Sequence, residues 1–223
     1  MDGHTRQRDD VEEVDLARAR LYTLLAQMLA RPPSAGLLAE VASLRGTPTP
    51  LGRALDDLAE RAAAATPDAA EREHGALFLG LERGELMPYA SYYLTGFLHD
   101  RPLARLRRDM QALGLERLPG VAEPEDHIAS LCEIMAGLIT GEIDAVEVLG
   151  EREFFGRHLA PWARRFFTDI ERARSASLYR PLGTVGRLLM EIEDEAWAMA
   201  APDPGERVRP GAGRGDGSGG YGQ

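Results

Sequence analysis

The chain has 223 residues and a formal net charge of −10, with 44% hydrophobic and 28% charged residues. These proportions are typical of globular proteins. The net negative charge disfavours nucleic acid and anionic membranes as partners. The single cysteine, Cys132, excludes an internal disulfide and fits a reducing compartment. No apolar run approaches the ~18 residues of a membrane span, so we expect a cytoplasmic protein without stable membrane insertion.

Helical periodicity dominates the first third of the chain. Residues 1–9 are predicted to be a disordered leader, and four helices are predicted at residues 10–30, 34–45, 51–65 and 66–79. The first helix ends at Arg31 because the residue before a proline avoids the helical region. Ser34 is predicted to cap the second helix, and Thr66-Pro67-Asp68 to open the fourth.

The middle of the chain is rich in aromatic residues. Residues 89–97 have strand propensity, but no second strand is predicted to pair with them, so a loop and a helical turn are preferred. Asp100 is predicted to cap a helix that stops at Gly114, and residues 115–122 to form a linker.

The helix predicted at residues 123–141 is the central element. Pro124 suits the first position of a helix, and Glu123, Glu125 and Asp126 suit the positive end of its dipole. Apolar residues then recur at the spacing of a buried helix face: Ile128, Leu131, Cys132, Met135, Leu138 and Ile139. His127 lies between the acidic start and this face, beside Asp126.

Further helices are predicted at residues 143–158, 161–174 and 177–200. Residues 201–223 are rich in Gly, Pro and Ser and are predicted to be a disordered tail. The sequence therefore predicts an all-α fold, with a single bundle-like domain of about eight to ten helices at residues 10–200.

Two patterns could carry chemistry. Glu71-x-x-His74 has the spacing of a di-iron ligand pair but lacks its second copy, so a solvated helix face is preferred. Asp126-His127 could serve a hydrolase, but no Gly-x-Ser-x-Gly elbow accompanies it. No phosphate-binding loop is present, and nothing demands a cofactor. A metal-binding or ligand-binding domain using Glu71, His74 and His127 remains an alternative.

Aromatic residues suggest a recognition surface. Tyr carries an apolar ring and a polar hydroxyl, which suits a partly hydrated interface. For Tyr89 and Ser91, next to Pro88 in a loop, a binding surface is preferred over core packing. The whole aromatic set comprises Phe78, Tyr89, Tyr92, Tyr93 and Phe97.

The chain resembles the TorD/DmsD family of cytoplasmic chaperones for exported molybdenum oxidoreductases. The resemblance covers roughly residues 15–200, and its two most specific pieces are Pro88-Tyr-Ala-Ser-Tyr-Tyr-Leu and Glu123-Pro-Glu-Asp-His-Ile-Ala. The other pieces are Leu77-Phe78, Pro102-Leu with Leu106-Arg107 and Gly114-Leu115, and Phe154-Phe-Gly-Arg-His-Leu-Ala-Pro-Trp162. His74 stands where some members carry Trp.

The resemblance implies an all-α fold and no catalysis. It implies binding of the twin-arginine signal peptide and the apo-form of a molybdenum oxidoreductase catalytic subunit, which delays export until the cofactor is inserted. Carried onto this chain, the signal-peptide surface comprises Leu77, Phe78, Pro88, Tyr89, Ser91, Tyr92, Glu123, Pro124, Asp126 and His127.

The residues themselves agree with this implied function. An arginine pair followed by an apolar segment needs an apolar groove with carboxylates at one end, and Glu123, Glu125 or Asp126 could pair with guanidinium groups. Asp126 is expected to orient His127. A NarJ-like chaperone for a non-exported molybdoenzyme remains an alternative, and the chain could be a monomer or a dimer that exchanges helices.

Overall fold

The computed structural model describes residues 2–79, 84–116, 123–145 and 149–199, with the backbone alone for residues 2–12. Ten α-helices, two π-helical turns and no strand occur in these ranges, so the all-α prediction is confirmed. The α-helices are α1 (Asp2–Ala30), α2 (Ala35–Ala42), α3 (Pro50–Ala64), α4 (Pro67–His74), α5 (Ala90–Thr95), α6 (Arg101–Ala112), α7 (Ile128–Thr140), α8 (Glu151–Phe154), α9 (Ala163–Arg172) and α10 (Tyr179–Met199). The π-helical turns are Gly75–Leu79 and Phe155–Leu159.

Side-chain caps determine where several helices begin. The Ser34 hydroxyl accepts a hydrogen bond from the Leu37 N–H, and the Asp100 carboxylate accepts one from the Arg101 N–H. These bonds satisfy backbone donors that the first turn of a helix leaves unpaired. Both caps were predicted from the sequence and are confirmed.

The first helix begins at Asp2, about eight residues before the start that periodicity predicts. The sequence there has only Gly3 to weaken a helix and no proline to stop one. The predicted disordered tail lies outside the described residues. The division into leader, domain and tail stays a prediction.

Two predicted helices have other bounds in the structure. The central helix begins at Ile128 and not near Glu123, because residues 125–126 form a turn and His127 bridges to Tyr89. The helix predicted at residues 143–158 is shorter, since α8 starts only at Glu151. After α7 ends at Gly141 in a left-handed conformation, the Ile143 N–H bonds back to the Gly137 carbonyl at 3.0 Å.

The core forms where α1 packs on α7 and where α9 and α10 pack together. Tyr22 from α1, Cys132 and Met135 from α7, and Phe167 and Tyr179 from α9 and α10 are completely buried. Complete burial also raises the pKa of the Cys132 thiol far above its ordinary value. Cys132 is therefore a packed core residue, as its place on the apolar face predicts.

A partly buried ion cluster joins α1, α8 and α10. The Arg18 guanidinium bonds Glu193 at 2.7 and 3.0 Å, Asp15 at 2.7 Å and Glu151 at 3.1 Å. Glu193 is only 1% exposed and also accepts a hydrogen bond from the Trp197 indole. Since a buried carboxylate is tolerated only when it is paired, Arg18 is needed to keep Glu193 inside the fold.

We predict that Arg18→Met lowers the free energy of unfolding by about 3 kcal/mol or more, because it leaves Glu193 buried without its cation. Arg187→Met is the matched control, since Arg187 pairs with Glu171 and Glu191 at the surface of α9 and α10. That change should cost about 1 kcal/mol or less. Urea unfolding followed by circular dichroism measures both, and equal losses would contradict the prediction.

Candidate functional site

Two segments distant in sequence meet edge to edge beside the core. The Ala90 N–H donates to the Asp126 carbonyl at 3.0 Å, and the Ile128 N–H donates to the Pro88 carbonyl at 2.9 Å. Tyr89 and His127 face each other in this short antiparallel bridge. The bridge places the start of α5 beside the start of α7, and with them most of the residues predicted to form the site.

Asp126 completes the start of α5. Its Oδ2 atom accepts a 2.7 Å hydrogen bond from the Ser91 N–H, 35 positions away in sequence, and both residues are at most 1% exposed. The N-cap residue of α5, Tyr89, makes no capping bond with its own side chain, so Asp126 supplies an acceptor to the first turn. The Asp126 carboxylate therefore bonds the backbone of α5 and not His127. The expectation that Asp126 orients His127 is wrong.

His127 caps α7. Its Nδ1 atom accepts a 3.1 Å hydrogen bond from the Ala129 N–H, which requires the neutral imidazole with its proton on Nε2. The Tyr89 ring packs edge-on against the imidazole, with the ring centroids 5.2 Å apart. Burial lowers the pKa of His127 well below its ordinary value of 6.5, against the opposing effect of the Glu123 carboxylate. The fold therefore keeps the His127 imidazole neutral at the start of α7.

Two glutamates next to this pair already have polar contacts. The Tyr89 hydroxyl donates a hydrogen bond to the Glu123 carboxylate. Burial of the hydroxyl and this hydrogen bond raise the Tyr89 pKa. The Glu125 carboxylate forms a salt bridge with Arg107 of α6 at 2.9 Å. These contacts hold both carboxylates at the protein surface beside His127.

A groove of about 640 Å³ opens at this point between α1, α6 and α7. Among the described residues, its lining includes four carboxylates, from Glu116, Glu123, Glu125 and Glu133, and one cation, Arg31. Its other lining residues are Ala30, Met110, Leu115, His127, Ala129, Ser130, Ile134 and Ile143. We call this cavity the acidic groove. Its apolar walls and acidic rim suit an apolar ligand that carries positive charge.

The predicted site residues divide into two groups by position. Tyr89, Glu123 and His127 come together at the acidic groove or its edge, and Pro124 is partly exposed next to them. Tyr92 instead lines a separate cavity beside Met87 and Arg165. The other predicted residues are buried: Leu77, Phe78, Pro88, Ser91 and Asp126. In this conformation Leu77, Phe78, Pro88 and Ser91 can shape the site but present no side chain to the acidic groove, and Asp126 lines a different cavity.

Phe78 shows why these residues are buried. Its ring packs against His74 at 5.0 Å and against Tyr179 at 5.4 Å between ring centroids. His74 is 4% exposed, so the expected solvated helix face is wrong for this residue, although Glu71 is exposed. Among the described residues no group of His, Cys, Asp and Glu is placed to hold a metal ion.

Sequence reasoning missed several residues of the acidic groove. Glu116 lies in the stretch predicted as a linker, Glu133 is on the polar side of α7, and Arg31 was noted only for the end of α1. The one local signal was the polar position of Glu133 on an otherwise apolar helix. Which elements face Glu133 depends on the packing of α1 and α6 against α7, and a local pattern does not specify that packing.

Comparisons with known proteins give a consistent result. A family model described as nitrate reductase delta subunit matches residues 45–168. The "Chaperone protein TorD" of Vibrio cholerae is 30% identical over 111 residues, or 46% of this chain and 50% of that relative. The chain thus spans about half the length of the first curated relatives it matches. The "Chaperone protein TorD" of Ferrimonas balearica is 30% identical over 183 residues, or 72% of this chain and 82% of that relative.

A solved structure shares the fold. The crystal structure of a candidate redox enzyme maturation protein from Archaeoglobus fulgidus matches with a TM-score of 0.54 at 20% identity. The match covers 78% of this chain and 93% of that one. None of the described helices combines the length and the apolar character needed to cross a membrane.

The neutral His127 cap predicts a pH dependence of stability. Its pKa is lower in the folded chain than in the unfolded chain, so the unfolded chain binds the proton more readily. The contribution of His127 to stability is complete above a pH of about 6.5 and is lost as the pH falls from there towards the folded pKa. His127→Asn keeps a capping acceptor without this titration, and we expect it to reduce the loss of stability between about pH 7 and about pH 5.

Urea unfolding at several pH values measures this effect. Burial also lowers the pKa of His74 and His158, so part of the pH dependence should remain in the variant. An unchanged dependence in His127→Asn would show that the imidazole is not held neutral by the fold.

Proposed function

The chain belongs to the nitrate reductase delta subunit family, which includes the TorD chaperones, and from that premise we propose that it is a redox-enzyme maturation chaperone. Its relatives are named chaperone proteins, so we assign it a binding function and no catalysis. The proposed client is the catalytic subunit of a molybdenum oxidoreductase, held in its apo-form in the cytoplasm. The proposed recognition element is the twin-arginine signal peptide of that client.

The observation that carries this proposal is the composition of the acidic groove. Four glutamates around apolar walls match a ligand in which an arginine pair precedes an apolar segment. A guanidinium group binds a carboxylate through two parallel hydrogen bonds, which makes such pairs both strong and specific. Glu123 and Glu133, which are both exposed and line the groove together with His127, are the proposed arginine ligands.

The apolar part of the peptide is proposed to lie against Met110, Ile134 and Ile143. Each large apolar side chain that becomes fully buried there would contribute about 1.5–3 kcal/mol. The His127 Nε2–H is proposed to donate a hydrogen bond to a peptide carbonyl, since Nδ1 is already used by the Ala129 N–H. This arrangement combines a charged anchor, an apolar contact and one directional hydrogen bond.

The buried members of the predicted site have a positioning role in this proposal. Asp126 and Ser91 hold the start of α5 in place, and the backbone bridge at Pro88 holds His127 at the groove. Leu77 and Phe78 pack the π-helical turn that precedes this region. Substitutions at these residues would act on the peptide site through the backbone that carries it.

A second candidate function is favoured by the family description itself. A nitrate reductase delta subunit relationship supports a NarJ-like chaperone whose client is not exported. The same groove would then bind a basic, apolar terminal segment that lacks the paired arginines. The two candidates differ in whether the arginine pair is required for binding.

We predict that Glu123→Gln combined with Glu133→Gln weakens binding of a twin-arginine peptide about tenfold or more, because charge-assisted hydrogen bonds contribute about 1.5–3 kcal/mol each. The peptide carries an arginine pair followed by an apolar segment, and fluorescence anisotropy measures its affinity. Glu40→Gln combined with Glu60→Gln removes the same charge from exposed positions on α2 and α3 and should leave the affinity unchanged.

The outcome also separates the two candidates. A peptide with the arginine pair replaced by glutamine should bind weakly if a twin-arginine leader is the natural ligand. Equal binding of both peptides would favour the NarJ-like alternative. Equal affinity of the groove variant and its control would remove the acidic groove from the proposed function.

A further inference from the structure

A rigid turn after α5 exposes three large apolar side chains. Leu94, Phe97 and Leu98 are 43%, 71% and 38% exposed. The Thr95 hydroxyl donates to the Ser91 carbonyl at 2.8 Å and accepts from the Phe97 N–H at 3.3 Å. His99, two residues after Phe97, has a φ of 61°, a left-handed conformation that is uncommon for residues other than glycine. We call these three exposed residues the apolar turn.

An arginine row begins directly after the apolar turn. Arg101, Arg105 and Arg108 are exposed and recur at the i, i+4, i+7 spacing of one helix face on α6. Within the described parts of the chain, none of these three guanidinium groups forms a salt bridge. Three exposed arginines on one helix face without a salt bridge to the described residues are unexpected on a chain with a net charge of −10.

Three described carboxylates on or beside α6 are bonded to other groups. Asp100 caps α6 through the Arg101 N–H, and Asp109 bonds His158 at 2.8 Å and Arg157 at 3.3 Å. Glu125 pairs with Arg107, on a different face of α6. The arginine row therefore presents positive charge to solvent.

A cavity of about 200 Å³ lies between the apolar turn and the arginine row. Leu94, Leu106 and Leu131 form apolar walls, and Arg101 and Arg105 stand at its polar side. Asp126 also lines this cavity and is 1% exposed. Its Oδ2 atom is used by the Ser91 N–H, whereas its Oδ1 atom is buried without a hydrogen-bond partner among the described residues.

A buried carboxylate oxygen without a donor is costly, and such atoms in native structures call for a partner. A ligand that enters the cavity with an N–H or O–H group would satisfy Oδ1. The arginines at the rim favour negative charge on the rest of that ligand, and the walls favour an apolar side chain. The occupant that meets all three conditions is an amphipathic peptide segment rich in acidic residues.

We propose that the apolar turn, the arginine row and this cavity form a second protein-binding surface, which recognises an acidic amphipathic segment of a partner protein. An apolar side chain of that segment enters the cavity and contacts Leu94 and Phe97. Its carboxylates pair with Arg101, Arg105 and Arg108, and one of its polar hydrogens is donated to Asp126 Oδ1. This surface is chemically opposite to the acidic groove, so the two surfaces select different segments.

A membrane surface fits these observations less well. Asp126 lines a concave cavity although only 1% of the residue is exposed, so a side chain that enters the cavity can approach it but a flat bilayer cannot. The net charge of −10 also repels anionic lipids from the rest of the molecule. Binding of a lipid surface in place of the peptide would therefore contradict the proposal.

The test uses a fluorescein-labelled peptide in which glutamates surround a Leu-Phe pair, titrated against the full chain. We expect saturable binding that weakens at least about tenfold in Arg101→Glu/Arg105→Glu/Arg108→Glu, because the reversed charges repel the peptide. Phe97→Ser should weaken it in the same direction by removing the apolar contact. Arg53→Glu/Arg61→Glu/Arg72→Glu is the matched control, with the same net charge and exposed positions on α3 and α4.

The outcomes are decisive in both directions. Equal affinity of the two triple variants, or no saturable binding to the unmodified chain, would overturn the proposal. Phosphatidylglycerol vesicles that bind through the arginine row while the peptide does not would overturn it as well. Circular dichroism melting checks that the variants fold. Binding of the arginine-pair peptide should not differ between the triple variants, so a failed second surface is distinguishable from a failed acidic groove.

Discussion

The short antiparallel bridge between residues 88–90 and 126–128 is the constraint on which the binding surfaces depend. It joins two segments that a local helical pattern would keep apart, and it fixes where α5 and α7 begin. Asp126 lies in the turn before His127, and the two side chains line different cavities. Asp126 lines the cavity beside α6, whereas its neighbour His127 lines the acidic groove. One dipeptide thus contributes to two separate surfaces.

The two surfaces differ in charge although they share α6 as a boundary. On one side four glutamates surround the groove, and on the other side the arginine row follows the apolar turn. At this boundary the Arg107 guanidinium pairs with Glu125, one of the four groove glutamates. A chaperone with this arrangement could hold a basic leader and an acidic segment at the same time, because neither ligand would compete for the other's contacts.

The buried aromatic and polar residues explain how the surfaces are kept in place. His74, Phe78 and Tyr179 pack together below the π-helical turn, while Glu193 and Arg18 join α1 to α8 and α10. These contacts fix the helices whose ends carry the exposed residues. A functional surface on this fold therefore depends on residues that a ligand never touches, since each exposed side chain is positioned by the backbone beneath it.

Local patterns in the sequence determined the fold class, the caps at Ser34 and Asp100, and the buried face of α7, because periodicity and capping depend on residues within one or two turns of each other. The family resemblance also pointed to Tyr89, Glu123 and His127, which the structure brings together at the acidic groove or its edge; their role in binding stays a prediction. The start of α7 was predicted wrongly because Pro124 and its acidic neighbours satisfy the local rules for a helix start, and only the hydrogen bonds to residues 88–90 override them. Tertiary packing alone decided that Glu116 and Glu133 share one groove, and that Asp126 and His127 face different cavities, since these relationships join residues that are distant in the chain.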